Sequence, residues 1–97
     1  MSVALYAEFT AREGREAEVA VLLEGLTTQV RAEPGNILFE PATLVDNPRS
    51  FFVFEVYRDD AAFEAHLAAT HGIEFNLALT ELIEGDGSVL TMVVPLR

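Results

Sequence analysis

Apolar and polar positions alternate from the start of the chain. Val3, Leu5, Ala7 and Phe9 fall on one side of an extended segment, and Ala4, Tyr6, Glu8 and Thr10 fall on the other. This period of two predicts a first strand. The period then lengthens: Val19, Leu22, Leu23, Leu26 and Val30 form one helical stripe, which predicts a helix over about residues 14–32. Glu13, Glu16 and Glu18 crowd its start, where the helix dipole is positive. Glu33-Pro34-Gly35 stops it, because proline disfavours a helical residue before it and glycine permits the turn.

The segment NILFEPATLV (36–45) reads as a second strand, with Pro41 marking an edge or a bulge. DNPRS (46–50) reads as a turn, and FFVFEVYR (51–58) is the most strand-like run of all. DDAAFEAHLAATH (59–71) opens with an aspartate cap and predicts a short helix. GIEFNLALTELIEG (72–85) carries another helical stripe through Phe75, Leu79, Leu82 and Ile83. DGSVLTMVVPLR (86–97) supplies a turn and a last strand.

Strand, helix, strand is thus followed by strand, helix, strand. This is the ferredoxin-like βαββαβ order of an α+β fold, a four-stranded antiparallel sheet with helices on one face. Both faces of the strands are apolar. Phe51 and Val53 alternate with Phe52, Phe54 and Val56, and Leu90, Met92 and Val94 alternate with Val89 and Val93. A sheet with one wet face should alternate with polar residues there. The expectation is a homodimer packed sheet against sheet, since a symmetric pair is the commonest oligomer.

Composition narrows the functions. Ninety-seven residues, 51% of them hydrophobic, fit one domain spanning residues 1–97. The net charge is −10, and all six cations are arginines. That charge leaves no positive footprint for nucleic acid and no attraction to an anionic membrane. With no cysteine, disulfides, thiolate metal sites and cysteine nucleophiles are excluded. The N-terminus lacks the basic and apolar regions of a signal peptide, and no apolar run nears the roughly 20 residues of a membrane span. A cytoplasmic protein is expected. No nucleophile elbow, phosphate loop or dinucleotide fingerprint occurs, so no cofactor is expected.

Glu55 interrupts the most apolar strand and shares a face with Phe51, Val53 and Tyr57. A carboxylate there must be paired, protonated or wetted by a pocket. It is either a structural partner for a histidine or a backbone amide, or a group that works at a site. His66 is either a half-buried histidine at the core edge or a general base, since an ordinary imidazole titrates near neutrality. His71 sits at a helical break, where it either caps a helix end or contacts a ligand. The five-residue spacing of the two histidines does not suit a metal helix, and no metal is expected. Tyr57 and Tyr6 are each a hydrogen-bond donor to a substrate or a strand aromatic with its hydroxyl at the rim. Asn36 is a turn residue or a ligand contact, and Phe39 a core aromatic or a pocket wall.

The run from EPGNILFE through DNPRSFFVFEVYRDDAAFEAHLAATH, residues 33–40 and 46–71, resembles the antibiotic biosynthesis monooxygenase family. That resemblance implies a dimeric α+β barrel of ferredoxin-like subunits. Members oxidise hydroquinones or polyketide phenols with O2 and no cofactor, or degrade haem. A related group isomerises the phosphorylated autoinducer-2 signal. This chain has no tryptophan and no lysine, and so departs from members that use either. The resemblance implies a cofactor-independent monooxygenase taking an aromatic small molecule and O2. Its catalytic residues would be His66, Glu55 and Tyr57, with Asn36, Tyr6, His71 and Phe39 around the substrate. An isomerase or tautomerase of a small carbonyl compound, and a non-catalytic small-molecule-binding dimer, are the alternatives.

Overall fold

A computed structural model describes residues 1–96. Its elements run β1 (Val3–Thr10), α1 (Glu16–Arg31), β2 (Asn36–Leu44), β3 (Asn47–Tyr57), α2 (Asp60–Ala68), α3 (Thr70–Thr80) and β4 (Val89–Val93). The strands form one sheet in the order β2-β3-β1-β4, antiparallel throughout. This is the ferredoxin-like α+β fold expected from the pattern.

The period-two reading of the strands holds in three dimensions. Leu5, Ala7, Phe9, Phe39, Phe51, Val53, Glu55 and Tyr57 are all buried, on the face toward the helices. Val19, Leu23, Leu26 and Val30 of α1 and Phe75 and Leu79 of α3 close over them. The opposite face presents Tyr6, Phe52, Phe54 and Val56, each half-buried, with the Tyr6 and Phe52 rings stacked at 5.0 Å.

Two element boundaries differ from expectation, and Pro41 sits as expected. The turn between β2 and β3 is only Val45–Asp46, and residues 47–50 already belong to β3. Asn47 makes this possible by bonding forward: its Oδ1 accepts from the Arg49 amide, and its Nδ2 donates to Ser50 Oγ. Pro41 lies on the edge strand, as expected and as its missing donor requires, with the register shifts of β2 between Asn36 and Leu38 and between Thr43 and Leu44. The two helical segments expected after β3 are both present, but they part at Ala69, whose backbone is extended (φ −68°, ψ 136°), and not after His71. Thr70, His71 and Gly72, all modest helix formers, follow that break.

Gly35 sets the distance between the end of α1 and the start of α2. A Cβ on Gly35 would overlap the Ala62 methyl. The Gly35 carbonyl also accepts from the Arg58 amide at 2.8 Å. The loop before β2 therefore lies directly on α2, and only glycine fits there. Gly35→Ala is expected to destabilise the protein by about 1–3 kcal/mol, as overpacking does. Urea unfolding measures it, and unchanged stability would show that α2 can retreat without cost.

Candidate functional site

Glu55 stands in the middle of the buried face of β3, opposite Leu5 on one side and Phe39 on the other. Only 5% of it is exposed. Two residues along the same face, Tyr57 donates its hydroxyl to Glu55 Oε1 at 2.7 Å. Burial pushes the Glu55 carboxyl above its ordinary range, and this outweighs the opposing pull of the Tyr57 hydroxyl and of nearby His66. Tyr57 is held as the neutral phenol, first by burial and then by the adjacent Glu55 charge.

His66 reaches this pair from α2. Asp59 caps that helix, its Oδ1 accepting from the Ala62 amide at 2.8 Å, as the sequence suggested. The His66 ring lies 4.6 Å from the Tyr57 ring, centroid to centroid, and 6.2 Å from that of Phe63. Its Nδ1 is 3.1 Å from both carboxylate oxygens of Glu33, and its Nε2 lies 3.7 Å from Glu55 Oε1. His71 Nε2 meets the same Glu33 carboxylate at 2.5 Å. A carboxylate only accepts hydrogen bonds, so both rings donate to Glu33. A neutral His66 then carries its proton on Nδ1 and turns the Nε2 lone pair toward Glu55. Glu33 orients His66 as a carboxylate orients the base of a catalytic triad.

Beside this pair lies a cavity of about 90 Å³ between the sheet and the helices. Leu5, Phe9, Leu26, Phe39, Val53 and Phe75 give it apolar walls. Glu55 and His66 supply polar groups at one end, and Asn76 and Ser88 supply them elsewhere on the lining. Leu67, Asn76 and Leu90 are exposed as well as lining, so the opening lies between the helices and the start of β4.

The structure therefore gathers Glu55, Tyr57, His66 and His71 around Glu33, and sets Phe39 in the cavity wall. Tyr57 is fully buried, not at a rim, and its hydroxyl is engaged by Glu55. His71 belongs to the first turn of α3, not to the end of the helix before it. Asn36 opens β2 beside Tyr57 and donates to the Leu38 carbonyl at 3.0 Å. Tyr6 points to the far face of the sheet, away from Glu55. Glu33 was read only as part of a helix stop. It lies 33 residues from His66 and 38 from His71, and no local pattern signals such a contact. Asn76 escaped because it is an exposed polar position of an amphipathic helix, and Ser88 because it follows a glycine-rich turn, and in both places such residues are ordinary.

A carboxyl whose pKa rises on folding holds its proton more tightly in the folded state. Its contribution to stability is full below the unfolded value of about 4.3 and is lost as pH climbs through the folded one. Glu55→Gln lacks that loss. Its stability relative to the parent should rise as pH increases from about 4 toward 8, followed by urea unfolding. Parallel pH curves for the two proteins would show that burial does not shift Glu55.

Comparison with known proteins agrees with this architecture. Among solved structures, Rv0793 from Mycobacterium tuberculosis superposes with a TM-score of 0.91 at 26% identity, over 100% of this chain and 97% of that one. PA3566 from Pseudomonas aeruginosa gives 0.90 at 25% identity, over 99% and 95%. SnoaB from Streptomyces nogalater, described as a cofactor-independent oxygenase, gives 0.85 at 20% identity, over 99% and 94%, a likeness of fold. No functionally curated protein matches. No described helix is long and apolar enough to cross a membrane. The family model for antibiotic biosynthesis monooxygenases matches residues 2–76, and the chain belongs to that family.

Proposed function

We propose that this protein oxidises a single-ring hydroquinone or phenol with O2, without a cofactor. The observation that carries this reading is the pairing of a triad-like Glu33–His66 couple with an apolar cavity. An electron-rich phenol supplies its own electrons. His66 Nε2 removes the phenolic proton, and the anion passes one electron to O2. The semiquinone and superoxide join through a new C–O bond. Cleavage of the O–O bond then expels water, with loss of the proton on that carbon. One hydroquinone and one O2 give one hydroxyquinone and one water. The apolar walls keep water from the radical pair, and Glu55 can donate a proton to the departing oxygen.

Cavity size favours one ring over a fused polyketide. An apolar cavity of roughly 150 Å³ admits benzene; at about 90 Å³ this one encloses only part of a single ring, and a fused ring system would lie still further outside it. A ring enters with its hydroxyl inward and its far edge at the opening. The separation of Glu55 and His66 also bears on the non-catalytic alternative. At 3.7 Å they are not locked in a hydrogen bond, and both face the cavity.

The bare sheet face supports a second copy packed on it. Tyr6, Phe52, Phe54 and Val56 would otherwise leave a contiguous apolar surface in water.

Purified protein should consume O2 with substituted hydroquinones, and His66→Ala should lower kcat by about 10²–10⁴-fold. Turnover that proceeds without O2 would instead indicate a proton-moving isomerase, and full activity in His66→Ala would remove the assignment of the base. Sedimentation should show a dimer that Phe54→Glu dissociates. A monomeric parent protein would overturn the paired-sheet reading.

A further inference from the structure

We propose that Asn76 and Ser88 form an outer subsite of the cavity, one that selects a ring carrying an uncharged, oxygen-bearing side arm. The inference rests on the oxygenase reading for the ring itself and adds what that ring must carry. The sheet register fixes where the two residues stand. Glu55 faces Leu5, and four residues along the same pair of strands Phe51 faces Phe9. Val89 faces Glu8, so Ser88, one residue earlier, comes beside Phe9. On α3, Gly72 lies at the His66 end, where a Cβ would sit 3.7 Å from the His66 carbonyl oxygen. Asn76 stands about one helical turn further on. It follows Phe75, whose ring meets the Phe9 ring edge-on at 6.4 Å. Asn76 and Ser88 therefore share the Phe9 end of the cavity, and Glu55 and His66 share the other. A helix surface or a turn explains one polar residue at a time. It does not explain why both line the same end of an apolar cavity.

The span between the two ends sets the length of the ligand. Four residues of extended strand cover roughly 13 Å, and side chains reaching in from both ends shorten that gap. A single ring with one hydroxyl at His66 Nε2 still ends short of Asn76 and Ser88. A short arm beside its outer hydroxyl closes the distance. The walls between are apolar, so the polar atom of the arm belongs at its tip. Charge sets the chemistry of that tip. Among the described residues no arginine lines the cavity, and the one lining carboxylate, Glu55, is at the far end. A carboxylate on the arm would meet no cation there, in a protein of net charge −10, and an ammonium would meet no anion. Among the described residues neither Asn76 nor Ser88 commits its side chain to a hydrogen bond, and Asn76 lends Thr80 Oγ1 only its backbone carbonyl, at 2.8 Å. An amide and a hydroxyl can each donate and accept, so together they suit a hydroxyl or carbonyl oxygen.

Binding under nitrogen tests the subsite without turnover. The probes are hydroxyethylhydroquinone and propylhydroquinone, which differ only by a hydroxyl against a methyl at the tip of the arm. Titration calorimetry gives a Kd for each, and the propyl-to-hydroxyethyl ratio cancels any general change in the cavity. Asn76→Leu and Ser88→Ala should each lower that ratio roughly three- to tenfold relative to the parent protein. Hydroquinones whose arms end in a carboxylate or an ammonium should bind more weakly than the hydroxyethyl compound. A ratio that either substitution leaves unchanged, no binding of the hydroxyethyl probe to the parent protein, or tighter binding of a charged arm would overturn the subsite. Selective binding under nitrogen with no O2 uptake in air would leave the subsite standing and sink the oxygenase reading. O2 uptake with a ratio indifferent to both residues would do the reverse.

Discussion

A carboxyl placed among apolar side chains must find donors or keep its proton, and Glu55 shows both responses. It is buried on the helix-facing side of a central strand, where every neighbour on that face is apolar or aromatic. Isolated, the charge would cost far more than the fold can offset. Tyr57 answers from two residues along the same strand, and His66 answers from across the interior. The polar side chains of the site are thereby brought to one place. Tyr57 stays neutral first because it is buried, and the adjacent Glu55, which accepts its hydroxyl, adds to that. His66 packs against the Tyr57 ring, the two rings tilted by 36° with centroids 4.6 Å apart.

The backbone makes the meeting possible. Gly35 lets the end of α1 lie against Ala62, which is one helical turn before His66 on the same face. Glu33, two residues before Gly35, is therefore carried to the histidine. The break at Ala69 turns the chain so that His71 reaches the same carboxylate, at Oε2. Had α2 run on unbroken, residues five apart would point in diverging directions. One glycine and one helix break thus assemble a five-residue polar chain out of segments that are remote in sequence.

Much of this fold was legible in the sequence because the periods are clean. The alternation in 51–57 sorted Glu55 and Tyr57 onto the buried face, and the stripe from Val19 to Val30 oriented α1. Asp59 announced its helix through a cap that only short polar side chains make. The site was legible in part. Glu55 and His66 stood out as polar groups in apolar settings, but Tyr6 carried the same signal and belongs to the other face of the sheet. Glu33 carried no signal, because an acidic residue beside Pro-Gly is what a solvated helix end also looks like. Its role exists only through contacts 33 and 38 residues away. The hairpin at Val45–Asp46 was misplaced because Asn47 and Pro48 have turn chemistry even when they begin a strand.

The central claim is that Glu33 holds His66 with its proton on Nδ1 and its free lone pair toward Glu55 and the cavity. Nitrogen NMR of the His66 ring at a pH where the ring is neutral tests this most directly. The account predicts a protonated, hydrogen-bonded Nδ1 and a bare Nε2, with that preference lost in Glu33→Ala. A ring protonated on Nε2, or one whose tautomer is indifferent to Glu33, would contradict it.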